Sequence, residues 1–252
     1  MTRIIGAVAT AIVAATLGSS AAAGDKQDAG AILDKGIKAL GGADKLGAVK
    51  AVTWKAKGKI YLGGNENDVT SQVTIQGLDR VRNEFEVDVG GNKIMGVTVV
   101  SGAKGWRKFA DNNMELDEAA VANEKRNIYL QMAPLTLVPL KGKGFKFEAA
   151  GQEQVGGKAA LALKATGPDG KSFTIYFDKE NGLPVKVAAK VIGFMGGEFA
   201  QETTYGNYKE FGGIKKAMKI DCKRDGENFM ALEITEFRVL DKVDAKMFAA
   251  PE

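Results

Sequence analysis

The chain contains no histidine. That removes imidazole acid–base catalysis, the Ser-His-Asp and Cys-His nucleophilic sites, and the commonest ligand for zinc and copper. Cys222 is the sole cysteine, so neither an intramolecular disulfide nor a paired-cysteine metal site is available. It falls in Ile220-Asp221-Cys222-Lys223, a strand pattern with no partner to activate a thiolate, and reads as a small sheet residue. The carboxylates that cluster, Glu84, Glu86 and Asp88, are spaced by two. That spacing lines the wet face of a strand, where a general acid–base pair has no cleft to act in. Asp178 to Gly182 and Asp225-Gly226-Glu227 have turn composition and lack the dense oxygen spacing of a calcium loop. Gly63-Gly64, Gly90-Gly91, Gly156-Gly157, Gly196-Gly197 and Gly212-Gly213 are not followed by Lys-Ser/Thr and a helix, so they read as hairpin turns rather than phosphate loops. The sequence therefore predicts no catalytic residue, no metal and no cofactor, and the chain reads as a binding protein rather than an enzyme.

What remains is apolar patterning. Ala29, Ile32, Leu33, Ile37 and Leu40 follow helical spacing behind Asp28, and Gly41-Gly42 ends the run. A second short helix is expected over 43–49. From Val52 the period changes to two: Val52, Trp54, Ala56, Gly58, Ile60 and Leu62 alternate with Thr53, Lys55, Lys57, Lys59 and Tyr61. Such alternation marks a strand dry on one face and wet on the other. The same rhythm continues through 69–75, 81–89, 94–100 and 103–109 with turns too short for anything but hairpins. It vanishes from Asn113 to about Leu140. There a helix is expected to start at Asp117, followed by the proline-bounded apolar segment Met132 to Leu140. Hairpins then resume to Leu240. The predicted class is mainly β with α: a single curved antiparallel sheet of about eleven strands, a half-barrel covered by helices.

A sheet of this kind has one apolar face, and the central helix must pack on it. The candidate lining is Trp54, Ile60, Val73, Ile75, Phe85, Val87, Met95 and Trp106 from the first half. Phe173, Ile175 and Phe177 come from the second half, with Leu130 and Leu135 from the helical insert. The parity of each strand is taken here from apolarity alone. Two outcomes are open: these side chains fill one another to a dry core, or the insert lies as a removable plug over an apolar cavity. The first gives a structural or interaction module of the cell envelope, the second a carrier of a hydrophobic ligand.

The ends of the chain bear on location. Arg3, the apolar run Ile4 to Leu17 and the small residues Ser19 to Ala23 follow the order of a secretory signal. Cleavage after Ala23 is expected, leaving residues 24–252 as one domain, periplasmic or secreted. No cysteine follows the signal to take a lipid anchor, so membrane contact would be transient. Without Arg3 the formal net charge falls from +4 to +3, with both signs interspersed as on an ordinary surface. There is no basic block with interleaved aromatics, so nucleic acid is not an expected partner; an envelope protein is.

The C-terminal third carries a resemblance. Leu183-Pro184-Val185-Lys186-Val187 is followed by Thr204-Tyr205-Gly206-Asn207-Tyr208-Lys209-Glu210-Phe211-Gly212-Gly213-Ile214. The chain then ends Leu232-Glu233-Ile234-Thr235-Glu236-Phe237, Val243 to Phe248 and Pro251. These segments resemble bacterial outer-membrane lipoprotein-sorting proteins of the Lol carrier type, LolA and LolB. The resemblance implies a half-barrel lidded by helices that holds acyl chains in the periplasm, and the missing anchor cysteine makes the chain more similar to the soluble carrier. Lys216 stands where that family often has a proline, and no arginine stands out as the one that holds the lid there.

Overall fold

The computed structural model describes residues 28–194 and 196–252; the expected export signal lies outside them. The first helix, α1 (Ala29–Leu40), starts at Asp28, whose carboxylate accepts from the Gly30 N–H at 2.9 Å. It stops at Gly41, where φ of 138° suits a residue without a Cβ. A short α2 (Ala43–Gly47) follows. The first meander is β1 (Ala51–Leu62), β2 (Asn65–Gln76), β3 (Arg80–Val89), β4 (Asn92–Ser101), β5 (Lys104–Phe109) and β6 (Asn112–Glu115). Then α3 (Glu118–Thr136) runs from Asp117, which caps the Ala120 N–H at 2.8 Å, through Pro134 to Leu137. The second meander is β7 (Lys146–Val155), β8 (Lys158–Thr166), β9 (Ser172–Asp178) and β10 (Pro184–Ile192). It continues through β11 (Glu198–Phe211), β12 (Ile214–Arg224) and β13 (Glu227–Leu240).

All thirteen strands form one antiparallel sheet in the order β6-β5-β4-β3-β2-β1-β13-β12-β11-β10-β9-β8-β7. Each meander is made of hairpins; the two join where β1 pairs with β13 from Ala51↔Leu240 to Ile60↔Met230. The class is the expected one, with more strands. β6 is short and fully exposed, with no apolar alternation to announce it.

The sheet is curled. Eight strand steps separate β5 from β10, on the order of 38 Å if flat. Yet Phe109, at the end of β5, and Phe194, just past β10, have ring centroids 5.4 Å apart. The curl brings the two strands together, and α3 lies in the gap, touching both. The inner face is the one the helices occupy. A Cβ at Gly36 of α1 would come within 2.7 Å of the Phe177 ring, and one at Gly105 of β5 within 3.0 Å of Leu116 and Val121 at the start of α3. Ile32, Leu33, Ile37 and Leu40 of α1 join Trp54, Ile75, Ile175 and Phe177 in the main core.

The outer face is wet along most of its length but not at β4. There Phe248, on a 3-10 turn (Ala245–Phe248) that contacts β3 and β4, is buried, as is Val99. Asp244 caps that turn. Asn113 donates to the Pro251 carbonyl at 2.9 Å and Lys108 to that of Glu252, tying down the chain end.

Candidate functional site

Register fixes which side chains share a face, since antiparallel partners project together. Trp54 is opposite Val73 and Phe237, and Val52 opposite Ile75. On the far side Leu163 is opposite Ile175, and Leu161 opposite Phe177. These side chains, with Phe173, Leu130 and Leu135, are all buried on the inner face beneath α1 and α3. This part of the predicted lining is dry core. Between α3 and the sheet, beside Gln131, Leu135, Tyr205, Tyr208 and Lys216, a cleft of about 10 Å³ remains, the size of one water.

The inner face continues beyond the helices. Phe85 is aligned with Ala56 through Ser71, Val87 with Gly58 through Val69, and Ile60 lies opposite Met230. Leu232 pairs with Ile220 on the adjoining strand. Val87 is buried, but Ile60, Phe85, Ile220, Met230 and Leu232 are only half-buried, and Phe194 at the rim is 52% exposed. The structure thus divides the predicted residues into a filled half and an open half of one apolar surface.

Two predicted lining residues lie elsewhere. Met95 pairs with Glu86 on the outer face and is 63% exposed; Trp106 pairs with Val99 on that same face. In β4 and β5 the inner positions include Gly96, roofed by the Phe85 ring, and Gly105, beneath Leu116 and Val121, beside Val100 and Phe109. The C-terminal turn buries Val99 from outside. β4 and β5 therefore carry apolar side chains on both faces and glycines only on the inner one, so apolarity alone does not give their parity.

α3 is held by apolar residues, Val121, Ile128, Leu130, Met132 and Leu135 among them, and in addition by buried polar contacts at both sides of the seam. Arg107 of β5 pairs with Glu124 at 2.7 Å, both little exposed. On the opposite side Asn123 donates to the Ile192 carbonyl at 3.3 Å. Arg126 is 2% exposed; it donates to the carbonyls of Lys190 and Ser172, each at 3.0 Å, to Asp169 at 3.0 Å, and to the Tyr129 hydroxyl. Burial pushes Asp169 up, but the Tyr129 hydroxyl, the Lys171 N–H and the Arg126 charge outweigh it and hold the carboxyl below its usual range. Burial raises the Tyr129 phenol well above its ordinary value, so it stays neutral. Arg126, which fastens α3 to β9 and β10, is a residue that sequence reasoning missed. Nothing in Lys125-Arg126-Asn127 separates it from a surface arginine; the clue, a helical position between Ala122 and Leu130, is legible only once the face is known.

Lys216 is a second residue the apolar pattern could not supply. It is 6% exposed, forms no ion pair or hydrogen bond with another described residue, and lies over the Trp54 ring at 4.9 Å. Burial lowers it from the ordinary 10.5 to about 8. Between those two pH values the unfolded chain holds a proton the folded chain has released, so this residue's contribution to stability rises with pH across that window. Lys216→Met is expected to stabilise the fold at pH 7 by on the order of 1–3 kcal/mol, and to flatten the rise between pH 8 and 10. Urea unfolding at both pH values measures this; a destabilised variant would mean that the ammonium is compensated.

Among the described residues no group of three or more His, Cys, Asp or Glu could hold a metal, and no helix is long and apolar enough to cross a membrane. Cys222 is buried and its thiol is raised by burial, the state of an inert sheet residue.

Comparison with protein-family models and with curated proteins found no match. Solved structures do match across the length of the chain. A LolA superfamily protein from Nitrosomonas europaea superposes with a TM-score of 0.56 at 12% identity, covering 88% of this chain and 97% of that one. This chain shares the fold of that protein. An outer membrane lipoprotein-sorting protein domain from Vibrio parahaemolyticus gives 0.52 at 12% identity, over 86% and 97% of the two chains. A DUF1329 family protein from Desulfovibrio piger gives 0.53, also at 12% identity, over 88% and 97%. The LolA-like fold accounts for the antiparallel half-barrel and the helices inside it, and agrees with the resemblance carried by the C-terminal third.

Proposed function

We propose that this chain is an exported, non-catalytic carrier, a single domain in the periplasm that shelters the acyl chain of a lipid or lipoprotein on the inner face of its half-barrel, with α3 as the lid. The observation that carries the reading is the half-buried row Ile60, Phe85, Ile220, Met230 and Leu232. It continues the packed core into a stretch that α1 and α3 leave partly open. Apolar surface of that kind costs free energy in water until something covers it. The polar fastening of α3 supports the same reading, because hydrogen bonds and an ion pair at a seam can exchange with water more readily than apolar packing can. The shared fold with a lipoprotein-sorting domain agrees with it.

Native mass spectrometry of the protein purified from the periplasm, with solvent extraction of what co-purifies, tests the proposal. A stoichiometric lipid or acylated protein supports it. A clean apo mass, with no uptake of palmitate, favours instead an envelope interaction module, a reading to which the dry core under the helices lends weight. Position within the fold supplies a sharper check. Leu232→Glu puts a charge into the open row and is expected to weaken palmitate binding by about tenfold or more. Met95→Glu, on the outer face, should leave it unchanged in the same titration.

A further inference from the structure

Lys216 sits on the inner face, where a charge is costly, and no carboxylate among the described residues pairs with it. The Trp54 ring lies under the ammonium at 4.9 Å. The cleft it lines is closed by Gln131, Pro134 and Leu135 of α3 and by Tyr205 and Tyr208 of β11. The charged residues nearest in register are Lys209, directly across on β11 and exposed, and Lys215 beside it on β12. Both tyrosines are raised by burial, Tyr205 and Tyr208 alike, and remain neutral hydroxyls near pH 8. The Tyr208 hydroxyl donates to the Pro184 carbonyl at 2.7 Å, leaving its lone pairs as acceptors.

From Lys216 the inner row of β12 continues Met218, Ile220 and Cys222. Alternate residues stand about 6.6 Å apart. The open apolar row therefore begins, at Ile220, about 13 Å from the buried cation. A long-chain amphiphile with its head at Lys216 would lay its chain along Met218 towards Ile220 and Leu232. The cleft admits one oxygen-sized group, so a head enters as the C-terminal turns of α3 give way.

We propose that Lys216 is the head-group anchor of this site, and that the ligand is an acyl or alkyl chain bearing an anionic head, a carboxylate or a phosphate. The proposal rests on the carrier reading. An anion at the ammonium restores the charge balance that the fold leaves open, and charge-assisted hydrogen bonds are strongest where water is excluded. A neutral head such as an alcohol would leave the cation as it is.

The test uses delipidated full-length mature protein and three ligands matched in chain length: palmitate, hexadecyl phosphate and hexadecanol, each titrated by calorimetry below its micelle concentration. One of the two anions is expected to bind about tenfold or more tighter than hexadecanol at pH 7, and the tighter one names the head. That preference should fade as pH rises from 7 to 9.5, whereas hexadecanol affinity stays level. In Lys216→Met the preference should vanish with hexadecanol affinity kept, which shows that the variant folds and still holds a chain. Equal affinity for all three ligands in wild type, or an undiminished preference in Lys216→Met, overturns the head-group assignment and leaves the carrier reading standing. Failure of all three to bind overturns both.

Discussion

Replacing Arg126 by methionine is expected to cost about 3–5 kcal/mol of stability, as removal of one member of a buried ion pair does. For a chain of this size that corresponds to a fall in Tm of roughly 6–20 °C. The loss has several parts. The guanidinium serves two backbone carbonyls, those of Lys190 and Ser172, which no other described side chain satisfies. It also neutralises Asp169 and donates to the Tyr129 hydroxyl. Methionine fills similar volume, so the cost reports unpaired polar groups rather than a cavity. Asp169→Asn should cost much less, because that carboxylate is 23% exposed and water can replace part of what it gives. The location of the damage is as telling as its size. Arg126 joins α3 to β9 and β10, while Arg107 joins it to β5. Cutting one side should raise hydrogen exchange across α3 well before it does so in α1, a local opening below the global one. Uniform exchange over both helices would show that α3 does not move as a separate lid.

Much of this architecture is legible in the sequence because it rests on short-range rules. The Asp28 and Asp117 caps, the glycine after α1 and the turn pairs at Gly63-Gly64 and Gly90-Gly91 each specify a local conformation that the fold keeps. Period-two alternation located most of the strands for the same reason. The carboxylates Glu84, Glu86 and Asp88 lie on the outer face, Glu84 beside Arg82 and Glu86 beside Lys93, as spacing by two requires. What pattern could not supply depends on contacts between distant parts of the chain. The parity of β4 and β5 is decided by a turn nearly 150 residues later that covers Val99, and by α3 pressing on Gly105. The division of the inner face into filled and open halves depends on where α3 crosses the seam. The two buried cations, Arg126 and Lys216, resemble any other basic residue until the face each occupies is known.

Phe177→Ala tests the opposite kind of fastening. Phe177 is 1% exposed and its ring lies against α1 at Gly36, where a Cβ would come within 2.7 Å of it and 2.8 Å of Leu137. Truncation is expected to cost about 3–5 kcal/mol, transfer loss plus the cavity left under the helix. Gly36→Val alone should cost about 1–3 kcal/mol by overpacking, despite a better helix propensity than glycine's. Combined, the two changes relieve each other in part, since the new methyl groups occupy the space the ring has left. A double-mutant cycle by urea unfolding should therefore show a favourable coupling of about 1 kcal/mol or more; simple additivity would mean that α1 adjusts its position instead. The outcome bears on function through the contrast with Arg126. Four buried apolar residues and a glycine notch seat α1 on the sheet, and its polar links, Lys35 to the Lys179 carbonyl and Asp34 to Lys141, lie at the exposed surface. If the carrier proposal holds, α1 is expected to stay seated while α3 opens, so exchange in α1 should follow global unfolding and exchange in α3 a smaller, local opening.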